Sequence, residues 1–253
     1  MTIRELYEIL NQQFPTELSC DWDNDGLLCC PDGARAVRRV LVTLDVTAEA
    51  VERAIATRCD LILSHHPLIF KGIKALDGKT PVSAKAIDLI QHGISVLSFH
   101  TRLDAAEGGV NDVLSHALGL CDLAPFGEES IGRIGTLPEA TTADAFARKV
   151  KEALHAPVVQ LADANRPVRR VAVLGGGGSD DVEAARAAGA DTYVSGELKY
   201  HQLTDAPEEG MNLIMAGHFH TEFPVCAMLE ALLLKLDPTI ETEIYDNYRI
   251  KTI

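Results

Sequence analysis

The sequence has no concentration of basic residues. Its 23 lysines and arginines face 37 acidic residues, for a formal charge of −14 over 253 positions. That field repels phosphate backbones, so nucleic acid and anionic membrane surfaces are disfavoured as partners. Cysteine supplies no framework: the six stand at 20, 29, 30, 59, 121 and 226 with no C-x-x-C pair, and read as reduced thiols of a cytosolic, cytoplasmic protein. The vicinal Cys29-Cys30 has no assigned role. Long apolar runs are also missing. The longest, such as "AMLEALLLKL", fall far short of the roughly 20 residues of a membrane span. The opening "MTIRELYEILNQQFP" spaces Ile3, Leu6, Ile9 and Leu10 with acids between them, which predicts an amphipathic helix rather than a signal peptide. No low-complexity segment or long linker interrupts the chain.

What is present is ordinary globular composition, 47% hydrophobic and 24% charged, arranged as a repeat. Residues 38–66, "RRVLVTLDVTAEAVERAIATRCDLILSHH", align without a gap to residues 169–197, "RRVAVLGGGGSDDVEAARAAGADTYVSGE". About ten of the positions are identical, against about two expected by chance. Each copy reads as strand, turn, helix, strand, a βαβ unit. The likeness continues in "GISVLSFHTRLD" (93–104) and "GMNLIMAGHFHTE" (210–222). The fold class that follows is α/β: two intertwined α/β lobes from an internal strand-helix-strand duplication, with mixed sheets flanked by helices. The first lobe is expected over 1–125, joined by 223–253, and the second over 126–222, with the functional site at the interface between them. Helices are predicted to begin near Thr142 and at Thr221, with Pro224 in the first turn of the latter, and "IETEIYDNYRI" to form a final strand.

The polar residues collect where the apolar strands stop. Six of the nine histidines, 65, 66, 100, 201, 218 and 220, fall at predicted strand ends on one sheet edge, where ligands bind in open α/β sheets. His92, His116 and His155 sit in helical stretches and read as structural or surface groups. Asp104 follows His100 by four residues, and Glu222 follows His218 by four. Imidazoles with carboxylates and no thiolates suit borderline divalent metals. Five such donors exceed the need of one tetrahedral ion and suit two ions sharing a bridging carboxylate.

The stretches "SHHPLIF", "HTRLDAAEGGVND", "GELKYH" and "GHFHTE", with "DWDNDGL" near the start, resemble the signatures of the NGG-interacting-factor-like (NIF-three-like) dinuclear metal centre family. Its bacterial members of this short form carry the name GTP cyclohydrolase 1 type 2. The resemblance covers nearly the whole chain. It implies a homohexameric toroid of two-lobed subunits, each with two divalent ions, whether zinc, manganese, iron, nickel or cobalt. It also implies metal ligands at His65, His66, Asp104, His218 and Glu222, with Glu222 bridging. "GELKYH" would lie beside the metals, which makes Glu197 and His201 candidates for proton transfer and Tyr200 for substrate contact. His100, Asp45 and His220 are candidates for holding the ligands in place.

The activity implied is hydrolysis by metal-activated water, opening the guanine imidazole ring of GTP with release of formate. A metal-dependent phosphoesterase, or a metal-binding scaffold ring without cyclohydrolase chemistry, is the alternative. The partners expected are other copies of the chain and a small molecule of nucleotide type. Other motifs read as structure: "LGGGGSDD" as a tight turn lacking the G-x-G-x-x-G spacing of a phosphate loop, "DWDNDGL" as turn chemistry around Asp25-Gly26 with Trp22 in the core or, as the alternative, lining the cavity, and "AEGGVND" as a glycine turn into a helix.

Overall fold

The computed structural model describes residues 1–127, 129–251 and 253. Two compact units are present: Met1–Leu103 with Cys226–Arg249, and Asp104–Val225 with Ile250–Ile253.

The first unit opens with α1 (Ile3–Gln13), started by a capping box. The Thr2 hydroxyl accepts from the Glu5 N–H at 3.3 Å, and the Glu5 carboxylate accepts from the Thr2 N–H at 2.8 Å. Ile3, Leu6 and Leu10 form its buried face, each contributing about 2 kcal/mol by leaving water. Ile9 lies off that stripe and is 37% exposed. There follow β1 (Gly26–Cys29), β2 (Arg39–Thr43), α2 (Ala48–Ala56), β3 (Leu61–Ser64), α3 (Pro81–His92), β4 (Ser95–Ser98) and the short α4 (Thr101–Ala105), whose last two residues already count with the second unit. Their uninterrupted apolar runs mark β2, β3 and β4 as strands buried on both faces, and they pair in parallel.

The second unit holds α5 (Val110–Ala117), β5 (Cys121–Phe126), β6 (Gly132–Thr141), α6 (Ala143–Ala153), β7 (Gln160–Ala162), β8 (Val168–Leu174), α7 (Val182–Ala187), β9 (Thr192–Ser195), α8 (Tyr200–Glu208), β10 (Asn212–Met215) and α9 (His218–Glu222). Here β8, β9 and β10 are the parallel strands. The chain then forms α10 (Val225–Leu236) and β11 (Glu241–Ile244), and β11 adds to the first sheet parallel to β2. The sheet orders are β1-β4-β3-β2-β11 and β5-β6-β8-β9-β10-β7, with β1, β5, β6 and β7 in antiparallel pairs.

The repeat is visible in single hydrogen bonds. Asp60 accepts through Oδ2 from the backbone N–H groups of Arg38 and Arg39 at 2.9 and 3.1 Å. Asp191, its counterpart, accepts from those of Arg169 and Arg170 at 2.9 and 2.7 Å. One carboxylate thus satisfies the two donors that open each first strand.

The units part at residue 103, not near 125. The intervening α5 and β5 belong with the second sheet: Leu114, Leu118 and Leu120 pack with Phe146, Val150 and Val171, and β5 pairs with β6. Thr142 caps α6, accepting from the Ala145 N–H at 3.2 Å. Thr221 does not cap a helix. It lies inside α9, where its hydroxyl donates to the carbonyls of Gly217 and His218 and accepts from the Gly176 N–H at 3.0 Å. Pro224 falls between α9 and α10.

Candidate metal centre

In the first unit, β3 and β4 end together. The Ser64 and Ser98 hydroxyls meet at 2.8 Å, and Ser64 Oγ donates to the His66 carbonyl at 2.9 Å. Pro67 follows and cannot extend the ladder. The turn so fixed carries His65, which is fully buried. Its Nδ1 lies 2.9 Å from the Phe99 carbonyl oxygen. A carbonyl only accepts, so Nδ1 bears the proton and Nε2 is the lone-pair nitrogen. The His66 Nδ1 lies 2.7 Å from Asp45 Oδ1, and the His100 Nδ1 lies 2.9 Å from Asp23 Oδ1. All three imidazoles are thus oriented through Nδ1 by an oxygen acceptor, the support that metal-binding histidines use. Their ring centroids are 4.9 to 5.6 Å apart. One nitrogen from each lies within 4.8 Å of the others.

The turn after β4 is pinned by "DWDNDGL". Asp23 accepts from His100, from the Thr101 N–H at 3.0 Å and from the Thr101 hydroxyl at 2.6 Å. Burial pushes the Asp23 carboxyl up, but the hydrogen bonds from His100 and Thr101 outweigh it and hold the group well below the usual carboxylate range. Asp25 accepts from the His100 N–H at 3.1 Å and from Arg102 Nε at 2.9 Å. Arg102, 1% exposed, also donates to Asn11 Oδ1 at 2.7 Å and to the Phe14 carbonyl at 2.9 Å. A buried guanidinium needs this full set of acceptors. Trp22 is not core. It is 59% exposed.

The second unit gathers acids around one histidine. His218 Nδ1 lies 3.1 Å from Glu197 Oε1, and His218 Nε2 lies 3.2 Å from Glu222 Oε2. An imidazole facing a carboxylate on each side cannot donate to both when neutral, so a second proton or a cation belongs at that junction. Asp104, half-buried on α4, offers an oxygen within 4.8 Å of Glu222, which is 4% exposed.

Bare backbone makes the room. A Cβ on Gly176 would stand 2.1 Å from Glu222 Oε1 and 3.0 Å from His218 Nε2. The glycine turn therefore fits around this carboxylate rather than around a phosphate. Its backbone is fixed by the Gly175 N–H donating to Asn111 Oδ1 at 2.8 Å and by the Gly178 N–H donating to Ser195 Oγ at 3.1 Å.

In donor chemistry both clusters fit divalent cations: three imidazoles oriented through Nδ1 in one, and a buried carboxylate beside an imidazole in the other. The remaining candidates sit differently. Tyr200 is 82% exposed on α8. His201, one residue on, lines a cavity of about 190 Å³ with Glu183, Asp205 and Glu209. His220 packs against Phe219 with ring centroids 5.6 Å apart. Asp23 and Gly176 carried a readable signal, alternating acids in "DWDND" and a four-glycine run, but motif reading gave both to turns.

No helix of the described residues is long and apolar enough to cross a membrane. A family model described as Duf34/NIF3 (NGG1p interacting factor 3) matches residues 1–249. The chain is 31% identical over 249 residues to a "GTP cyclohydrolase 1 type 2 homolog" of Clostridium perfringens, covering 95% of each. It is 36% identical over 206 residues to a protein of the same name from Nostoc, covering 79% of this chain and 78% of the relative. The crystal structure of Staphylococcus aureus protein SA1388 superposes with a TM-score of 0.89 at 27% identity, covering 100% of this chain and 99% of the other. With the family model matching nearly the whole chain and relatives above 30% identical along most of its length, the chain belongs to the DUF34/NIF3 family.

Proposed function

We propose that this protein is a divalent-metal-dependent hydrolase acting on a nucleotide, with GTP the leading substrate. His65 and His66 of the first unit and Asp104, His218 and Glu222 of the second are the proposed ligands. The observation that carries the reading is the state of the histidines: each of His65, His66 and His100 has its Nδ1 committed to an oxygen, which turns a lone pair rather than a proton toward a ligand. The relatives' name, GTP cyclohydrolase 1 type 2 homolog, supports GTP as the substrate to test. Divalent ions held by these residues would supply a water of lowered pKa, so that no strong base is needed.

The residues do the rest. Asp45 and Asp23 keep His66 and His100 in one tautomer and one orientation. Glu197 touches His218 and is well exposed, which supports a role for it in accepting a proton from water and returning it to a ring nitrogen. We assign that role to Glu197 ahead of His201, whose cavity is lined by other acids. For GTP, one water adds at C8 and the imidazole ring opens. A second water then cleaves the formamide, so two waters are consumed for each formate released.

The test is metal content by elemental analysis together with formate release from GTP, using purified protein reconstituted with each candidate metal in turn. Expected are bound divalent ions, turnover of about 1 per second or faster, and joint loss of metal and turnover in Glu222→Ala. Bound metal with no turnover on GTP, other nucleotides or phosphate esters overturns the hydrolase reading and leaves a metal-handling protein. Light scattering of the same sample tests the homohexamer that the family resemblance implies.

A further inference from the structure

Beside the histidines of the first unit stand two large aromatic rings that the fold does not bury. Trp22 is 59% exposed and Phe70 is 45% exposed. Exposing both forgoes the burial that such rings usually gain, and they are not isolated. Their centroids are 6.0 Å apart at an interplanar angle of 73°. Each also meets His100 edge-on, Trp22 at 6.2 Å and 76°, Phe70 at 6.0 Å and 86°.

The arrangement is latched at both ends. Asn24 Nδ2 donates to the Ile69 carbonyl, tying the loop that bears Trp22 to the segment that bears Phe70. Asp23, the residue after Trp22, holds His100. The rings are therefore set in place before anything arrives, which lowers the entropy cost of binding.

The segment beside them carries positive charge. In a chain with net charge −14, residues 71–79 read "KGIKALDGK", with three lysines to one aspartate. Lys71, directly after Phe70, and Lys74 are exposed. A pair of exposed rings with cationic side chains following fits one chemistry: a flat heteroaromatic ring to stack and an anionic tail to neutralise.

We infer that Trp22 and Phe70 form the stacking platform that receives the base of a nucleotide beside His100, with Lys71 and Lys74 meeting its phosphates. This deepens the nucleotide-hydrolase reading and rests on it for the purpose of the platform, but its test does not depend on turnover.

Trp22 is the single tryptophan of the chain, so intrinsic fluorescence excited near the red edge of its absorption reports on this one site. The protein as purified is titrated with GTP, guanosine and tripolyphosphate. Expected are saturable quenching by GTP, weaker affinity for guanosine, and no quenching by tripolyphosphate. Phe70→Ala should weaken GTP affinity about tenfold. The double variant Lys71→Ala, Lys74→Ala should weaken GTP but leave guanosine unchanged.

Equal quenching by tripolyphosphate, or GTP affinity unchanged in Phe70→Ala, overturns the platform. So does a tryptophan emission maximum that shifts on dilution while GTP leaves it unmoved, since a second copy of the chain would then cover the rings. The companion reading is separable. Formate release with an unchanged KM in Phe70→Ala removes the platform and keeps the hydrolase. GTP quenching without formate release keeps the platform and removes the hydrolase.

Discussion

Residues 64–66 and 195–197 occupy the same place in the two copies of the repeat, Ser-His-His in one and Ser-Gly-Glu in the other. The backbone treats them alike. The residue after β4, Phe99, donates to the Ser64 carbonyl at 3.0 Å, and the residue after β10, Ala216, donates to the Ser195 carbonyl at 2.9 Å. The side chains do not match. His65 fills a buried space and is held by a carbonyl. Gly196 has no such space: a Cβ there would lie 2.5 Å from the Gly176 carbonyl oxygen and 2.7 Å from His218 Cα. A duplicated βαβ scaffold thus fixes where a strand ends, while the packing around that end decides whether it bears a donor or makes room for one from another element. In the first unit the strand end supplies the imidazoles. In the second, the helix α9 supplies them and the strand end steps aside.

The largest effect expected from breaking this contrast is at Gly196. Gly196→Ala forces backbone apart from backbone and should cost about 3 kcal/mol, read as a lower urea midpoint at unchanged slope. A variant as stable as the parent would mean that the two strand ends are interchangeable.

The carboxylates that open each copy come next. Asp60 is 7% exposed and pairs with Arg35 at 2.7 Å besides holding two N–H groups. Asp191 holds its two N–H groups and the Thr192 hydroxyl in a half-buried setting. Asp60→Ala should therefore cost about 3 kcal/mol and Asp191→Ala about half that, measured by the same denaturation. Equal losses would show that the backbone bonds, not the ion pair, carry the energy.

The smallest effect is at the residue just past the first helix of each copy. Arg58 adopts φ 56° where the second copy has Gly189 at φ 84°, the left-handed position that glycine fills without strain. Arg58→Gly should change stability by less than about 1 kcal/mol, because relief of strain offsets added chain entropy. Gly189→Ala should lower stability by about 1 kcal/mol, since the nearest atom, Arg170 Nε, is 3.7 Å from the added Cβ and only the backbone objects. Thermal midpoints of both variants check the pair.

These particulars show what could be read from the sequence. Strands β2, β3, β8 and β9 announced themselves because each half of the duplication repeats both the apolar runs and the Arg-Arg and Asp residues that anchor them. His65, His66 and His100 could be picked out because they directly follow the apolar runs of β3 and β4, whereas His201 sits on α8 and lines a cavity with other acids. The division of the chain was not, since α5 and β5 look like a tail of the first lobe until β5 pairs with β6. Nor was the role of Asp23: its partner His100 lies 77 positions away, and a carboxylate serving a distant imidazole has the same local sequence as one serving a turn. The choice between core and cavity wall for Trp22 was open for a related reason, because tryptophan next to acids gives no local sign of which side faces water; its exposure removes the core reading.

The glycine run carries a consequence for how this family can change. Positions 175 and 176 are hemmed in by Glu222, Val110 and His218, so selection has almost no side-chain variation to work with there. The segment after Phe70 is the opposite: Lys71, Lys74 and Leu76 are exposed, and Gly72 has nothing within 4 Å of an added Cβ. New selectivity can accumulate in residues 70–76 by single substitutions at little cost to folding, while the acid-lined half stays fixed. Divergence among relatives that keep the same acids and histidines is therefore expected to concentrate in that loop.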